Sequence, residues 1–189
     1  MKKLLFIVLI SVIMITCSDP DPCAGIVCNN GGTCDNGTCE CTEFYGGPSC
    51  SVPRVPTAIL VSKIDILKWP TTTSAGGGWD LNGTGPDIFI AVVKNPGTAN
   101  ESTIHTSASA SNNTGGGFLS YTPTLNISLS ADGSTYSIRL YDDDDELGNE
   151  FMAGIIFTPS QEITGFPSTI TLDAGGTVAY KLYVTYDFL

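Results

Sequence analysis

The stretch Leu125-Asn126-Ile127-Ser128-Leu129-Ser130-Ala131-Asp132-Gly133-Ser134-Thr135-Tyr136-Ser137-Ile138-Arg139-Leu140 decides the fold class. Leu125, Ile127 and Leu129 alternate with polar residues, and so do Tyr136, Ile138 and Leu140. A period of two marks strands with one buried face. Between them lies Asp132-Gly133, the pair that a two-residue type I′ turn demands, since both central positions need positive φ. With that turn Leu129 faces Tyr136, Ile127 faces Ile138 and Leu125 faces Leu140, so every apolar residue lands on one side. The pattern predicts a β-hairpin.

Reading outward, the same period recurs in Val178, Tyr180, Leu182, Val184, Tyr186 and Phe188. Further strands are expected near Ile59 to Leu67, Ile88 to Val93 and Phe151 to Phe157, separated by runs rich in Gly, Ser, Thr and Pro. Short strands so spaced indicate an all-β fold, an antiparallel β-sandwich of about eight strands over residues 57–189. Composition agrees: of 189 residues, 21 are Gly and 11 are Pro, and 42% are apolar, too many for disorder, with too many turn formers for a helical bundle. The formal net charge of -11 argues against nucleic-acid binding, which needs a basic footprint.

The N-terminus is organised differently. Met1-Lys2-Lys3 precedes an apolar run from Leu4 to Thr16 that is too short to span a bilayer and reads as the core of a signal peptide, residues 1–16. Cys17 stands where a bacterial lipoprotein signal carries its acylated cysteine, and the segment resembles that signal. Parity supports lipidation. Setting Cys17 aside leaves six cysteines between 23 and 50, an even set that can pair fully in an oxidising compartment. Ser18-Asp19-Pro20-Asp21 resembles the acidic export signal of Bacteroidetes surface lipoproteins. The resemblance implies secretion across the inner membrane and anchoring at Cys17, within a tether of residues 17–22, at the outer surface of a Gram-negative cell. The plainer alternatives are ordinary cleavage or an unpaired Cys17.

Cys23, Cys28, Cys34, Cys39, Cys41 and Cys50 follow the spacing C-x4-C-x5-C-x4-C-x-C-x8-C. A segment this short cannot build a core and relies on crosslinks. Spacing alone leaves 15 connectivities. Zinc is disfavoured because the C-x2-C pairs of such sites are absent. The turn Asn30-Gly31-Gly32-Thr33-Cys34 and the closing Tyr45-Gly46-Gly47-Pro48-Ser49-Cys50 resemble an epidermal growth factor-like module over residues 23–50. That resemblance implies Cys23 with Cys34, Cys28 with Cys39, and Cys41 with Cys50. Such a module serves as a spacer or as an interaction knob, followed here by a linker over residues 51–56.

Chemistry in the larger domain concentrates in two acidic segments. The second hairpin strand runs into Asp142-Asp143-Asp144-Asp145-Glu146-Leu147-Gly148-Asn149-Glu150, and Trp79-Asp80-Leu81-Asn82-Gly83-Thr84-Gly85-Pro86-Asp87 leads into another apolar strand. An acidic run by itself is usually a solvated loop. An EF-hand does not fit, because counting from Asp142 places Leu147 and Ala153 where Gly and Glu are required. Together the segments resemble the two calcium loops of the C2 domain, the calcium-dependent phospholipid-binding sandwich. Asp80, Asn82-Gly83 and Asp87 match its first loop, and Asp142-x-Asp144 followed by Glu150-Phe151-Met152 matches its third, with Gly154 one place late. The resemblance implies Ca²⁺ ligands at Asp80, Asp87, Asp142, Asp144 and Glu150, with the carbonyls of Trp79 and Asp143 beside them. It implies membrane contact through Trp79, Leu81 and Leu147, and leaves Asp145 and Glu146 as exposed charges. Calcium chemistry accommodates this, since it takes six to eight oxygens in a tolerant geometry that flexible loops can share.

Two partner classes follow. One is a phospholipid membrane, although Arg54, Lys63, Lys68, Lys94, Arg139 and Lys181 form no basic cluster in sequence. The other is a surface glycan or protein in an adhesion role, with calcium structural or bridging. An enzyme is disfavoured: His105 is the sole histidine, and no nucleophile-elbow or phosphate-binding motif accompanies it. The sequence leaves the oligomeric state open.

Overall fold

The computed structural model describes residues 20–80, 83, 85–109, 118–144 and 148–188. Cys17, Leu81, Leu147, Asp145 and Glu146, with the signal segment, lie outside the described residues. The chain forms two compact units that part between Pro53 and Arg54.

In the first unit, β1 (Thr33–Asp35) pairs antiparallel with β2 (Thr38–Glu40), and β3 (Tyr45–Gly46) with β4 (Val52–Pro53), so part of the segment read as linker is paired. Disulfides join Cys23 to Cys34, Cys28 to Cys39 and Cys41 to Cys50. Among the described residues of this unit only Cys50 of the apolar ones is fully buried, which leaves the crosslinks to hold it. Gly32 is packed against them: a Cβ there would meet Cys50 Sγ at 2.7 Å and the Glu40 carbonyl at 3.0 Å.

The second unit is built from antiparallel strands β5 (Ala58–Lys68), β6 (Ile88–Lys94), β7 (Ser102–Thr106), β8 (Leu119–Tyr121), β9 (Ile127–Ser130), β10 (Tyr136–Asp142), β11 (Glu150–Phe157), β12 (Thr169–Asp173) and β13 (Ala179–Asp187). A helical turn, α1 (Pro159–Glu162), follows β11. One sheet runs β11-β10-β6-β7; the other runs β12-β13-β5, with β8 and β9 lying end to end along the free flank of β5. Nine strands thus occupy eight positions among the described residues. The inward faces supply one core, including Ile59, Val61, Ile64, Ile90, Val92, Leu129, Ile138, Leu140, Tyr180 and Leu182. The run Ile88–Val93 is buried on both faces, unlike the alternating β9 and β13.

The expected hairpin is not formed, and this corrects the reading of residues 125–140. β9 pairs with β5 in one sheet and β10 with β6 and β11 in the other. Asp132-Gly133 therefore turns a corner between sheets. Gly133 has φ of 89°, whereas Asp132 is not in the left-handed region and instead accepts the Ser134 N–H on its side chain. A type I′ turn needs both. The corner is closed by Tyr136, whose phenol oxygen accepts the Ser130 N–H at 2.9 Å. Ile127, Leu129, Tyr136, Ile138 and Leu140 are buried as expected, but Leu125 precedes β9 and is 82% exposed. Alternation specifies which residues face the core, and both arrangements satisfy it.

Candidate metal centre

Two strands carry the acidic segments to the same end of one sheet. β6 begins at Ile88, directly after Asp87, and β10 ends at Asp142; the ladder places Ile88 opposite Asp142 and Asp142 opposite Glu150. The loops are also tied to each other. The Asp87 N–H donates to Asp142 Oδ1 at 2.7 Å, and the Asp143 N–H donates to the Asp87 carbonyl at 2.9 Å.

Asp142 ends the inward-facing series Tyr136, Ile138, Leu140, and it is fully buried. Its Oδ1 is satisfied, but Oδ2 is buried with no hydrogen-bond partner among the described residues. A carboxylate oxygen left so is costly. Carboxylate oxygens of Asp80, Asp142 and Asp144 all lie within 4.8 Å of one another. Burial pushes the Asp142 carboxyl above its usual range, and the charges of Asp144, Asp80 and Asp87 push it further against the opposing Asp87 N–H. Solvation of a loop does not account for Asp142, whose carboxylate is removed from water while Asp80 and Asp144 are partly exposed.

The five expected ligands are placed unevenly. Asp80, Asp142 and Asp144 converge. Asp87 enters through its backbone and through its charge on Asp142. Glu150 sits opposite Asp142 in the ladder, is exposed, and lines a neighbouring cleft instead of joining the three converging carboxylates. Asp143 turns its carboxylate to the Ser109 hydroxyl, which donates to it, leaving the Asp143 carbonyl as the group that the loop can offer. Trp79, expected at a membrane surface, is half-buried against the core, with its indole N–H donating to the Pro70 carbonyl at 2.9 Å. Leu81 and Leu147 lie outside the described residues.

Ser109 was not legible as a site residue, because a serine in a Ser/Ala-rich run carries no positional signal. The cleft was missed as well. It measures about 1020 Å³ and is lined by residues 68–75 together with Trp79, Glu150, Phe151, Met152 and Thr177. His105 hydrogen-bonds Tyr121 through Nε2 at 2.5 Å, linking β7 of one sheet to β8 of the other.

The cluster suits a hard divalent cation. Three convergent carboxylates supply charge, an unused buried oxygen supplies a ligand, and the oxygen-only donor set favours Ca²⁺ or Mg²⁺ over zinc or copper.

No family model matches the chain, and no curated protein matches it. Solved structures similar to it include human GIVD cytosolic phospholipase A2, at TM-score 0.44 and 11% identity, over 72% of this chain and 17% of that one. A C2 domain of plant Extended Synaptotagmin 1 is similar at TM-score 0.39 and 12% identity, over 72% of this chain and 98% of that one. BON1-C2B is similar at TM-score 0.43 and 13% identity, over 74% and 97%. At these scores the fold rests on its own strand pairing and the site on its own carboxylates.

Proposed function

We propose that the second unit is a C2-like, non-enzymatic calcium-binding module, carried at a bacterial cell surface by a lipid on Cys17 and spaced by an epidermal growth factor-like module. The observation that carries this reading is the buried, unpartnered Oδ2 of Asp142 among Asp80 and Asp144. Asp80, Asp142 and Asp144 would hold the ion, with Asp87, Glu150 and the carbonyls of Trp79 and Asp143 as further oxygens. Bound Ca²⁺ supplies positive charge that relieves their repulsion and leaves coordination positions for an outside ligand. The C2 resemblance implies that this ligand is a phospholipid phosphate, giving calcium-dependent membrane contact. The cleft beside the cluster favours the second reading, an adhesion role in which calcium bridges a glycan or protein.

Calorimetric titration of the protein with CaCl2 tests the cation. We expect saturable binding and a calcium-dependent rise in Tm equivalent to about 2.7 kcal/mol at a hundredfold excess over Kd. In Asp142→Asn both are lost, while the Tm in EGTA rises above wild type, because an amide places a donor among carboxylates where a buried charge stood. Wild-type protein without calcium heat, or a variant less stable in EGTA, overturns the assignment. Cosedimentation with phosphatidylserine vesicles, in calcium and in EGTA, separates membrane contact from adhesion.

A further inference from the structure

The cleft beside the carboxylate cluster has a chemistry of its own. It adjoins the cluster through Trp79, next to Asp80 in the chain, and through Glu150, paired to Asp142 in the ladder. Its walls combine the rings of Trp79 and Phe151 with the hydroxyls of Thr71 to Ser74 and the carboxylate of Glu150. The hydroxyl-bearing wall is a structured loop: the Thr73 N–H donates to the Gly77 carbonyl at 3.0 Å, and the Thr73 hydroxyl accepts the Gly77 N–H at 3.2 Å. Trp69 also lines the cleft, 5% exposed, and its indole N–H has no acceptor among the described residues.

Each of these features selects against one ligand class. Lys68 and Glu150 are the charged residues of the lining, one of each sign, and the Lys68 ammonium donates to the Gly176 carbonyl, so the cleft carries no net charge with which to select an ionic ligand. A purely apolar ligand would strip water from the threonine hydroxyls and Glu150 without replacing it. What remains is a neutral, hydroxyl-rich molecule with an apolar face that lies on an aromatic ring. At about 1020 Å³ the cleft stands at the upper end of the range for small-molecule sites, so it has room for several linked rings. Vicinal hydroxyls are also neutral oxygen ligands of the kind that complete a calcium shell.

We propose that this cleft is a saccharide subsite, in which a neutral oligosaccharide stacks on Trp79 and Phe151, hydrogen-bonds Glu150, and presents a vicinal diol to the cation held by Asp80, Asp142 and Asp144. It rests on the calcium reading above and names the partner of that site. Phe151 is 57% exposed, so truncating it removes a stacking surface without opening the core.

Affinity electrophoresis of the protein through gels containing mannan, xylan, β-glucan or galactan tests this, with CaCl2 or EGTA in gel and buffer. At least one polysaccharide is expected to retard the protein in calcium and to release it in EGTA. Phe151→Ala should weaken that retardation about tenfold, the loss of one aromatic contact, while its calorimetric calcium titration stays as in wild type. Calcium heat with no retardation by any of the four overturns the saccharide and leaves the cation standing. Absent calcium heat overturns both. Retardation that survives EGTA or Phe151→Ala unchanged, or calcium-dependent sedimentation with phosphatidylserine vesicles in its place, also overturns the proposal.

Discussion

Asp142 and Glu101 are two carboxylates whose surroundings act in opposite directions. Asp142 is deprived of water and faces like charges, so its ionised form is held at a cost. Glu101 accepts hydrogen bonds from the two terminal Arg139 guanidinium N–H groups at 2.9 Å, and with the Gly97 N–H this draws its carboxyl down to about 2 from an ordinary 4.5. A carboxyl lowered by folding contributes stability that is complete above its unfolded value and disappears as pH falls through the folded one. The Glu101 contribution should therefore be constant above about pH 4.5 and drain away toward pH 2. The pair is partly exposed, so the effect is small. Thermal melts of wild type and Glu101→Gln should be separated at pH 6, with the variant lower, and should converge near pH 2. A gap that stays constant down to pH 2 would show that the ion pair is not its source.

Among the elements, the corner between β9 and β10 shows how one side chain replaces a missing ladder. These strands do not pair, so the Ser130 N–H at the end of β9 is met by the Tyr136 hydroxyl. Tyr136 is also 1% exposed and packs its ring near Phe157 at 6.4 Å between centroids. Tyr136→Phe keeps the ring and removes only the acceptor. Urea unfolding should place its cost at about 1 kcal/mol, against the roughly 3–5 kcal/mol expected for Tyr136→Ala, which also opens a cavity. Equal losses in the two variants would mean that the hydroxyl, not the ring, carries the corner. At the acidic end the corresponding device is backbone pairing: Asp87 exchanges one bond with the Asp142 side chain and one with the Asp143 backbone, so β6 and β10 bring their loops together as a unit.

Across the whole molecule, two strategies of stabilisation sit on one chain. The first unit closes loops with bridges spanning 11, 11 and 9 residues and, among its described residues, buries almost nothing apolar. Bridges of this loop length are each worth about 2–4 kcal/mol. The second unit has no cysteine and depends on its two-sheet core. Reduction should thus unfold one unit alone. In amide hydrogen exchange with reductant, residues 23–53 should lose protection while β5, β6, β10 and β13 keep theirs. Loss of protection in those four strands would contradict the independence of the units.

The sequence by itself determined what local chemistry can encode. Period-two alternation marked β9, β10 and β13, apolar runs between turn-rich segments marked β5, β6 and β11, and composition argued against a nucleic-acid partner. Clustering of Asp and Glu marked the two segments that meet at the sheet's end. Strand partnership lay beyond it: the alternation in residues 125–140 is satisfied by a hairpin or by strands in opposite sheets, and only the competing ladders of β5 and β6 select the second. The strands β7, β8 and β12, of three to five residues, were not read from the sequence either. The site followed the same division. Carboxylates are visible as letters, but whether an oxygen is buried, partnered or left unpaired depends on what folds over it. Only the tertiary structure decided that Asp142 keeps one oxygen without a partner among the described residues, that the Ser109 hydroxyl donates to the Asp143 carboxylate, and that Trp79 and Glu150 share a cleft.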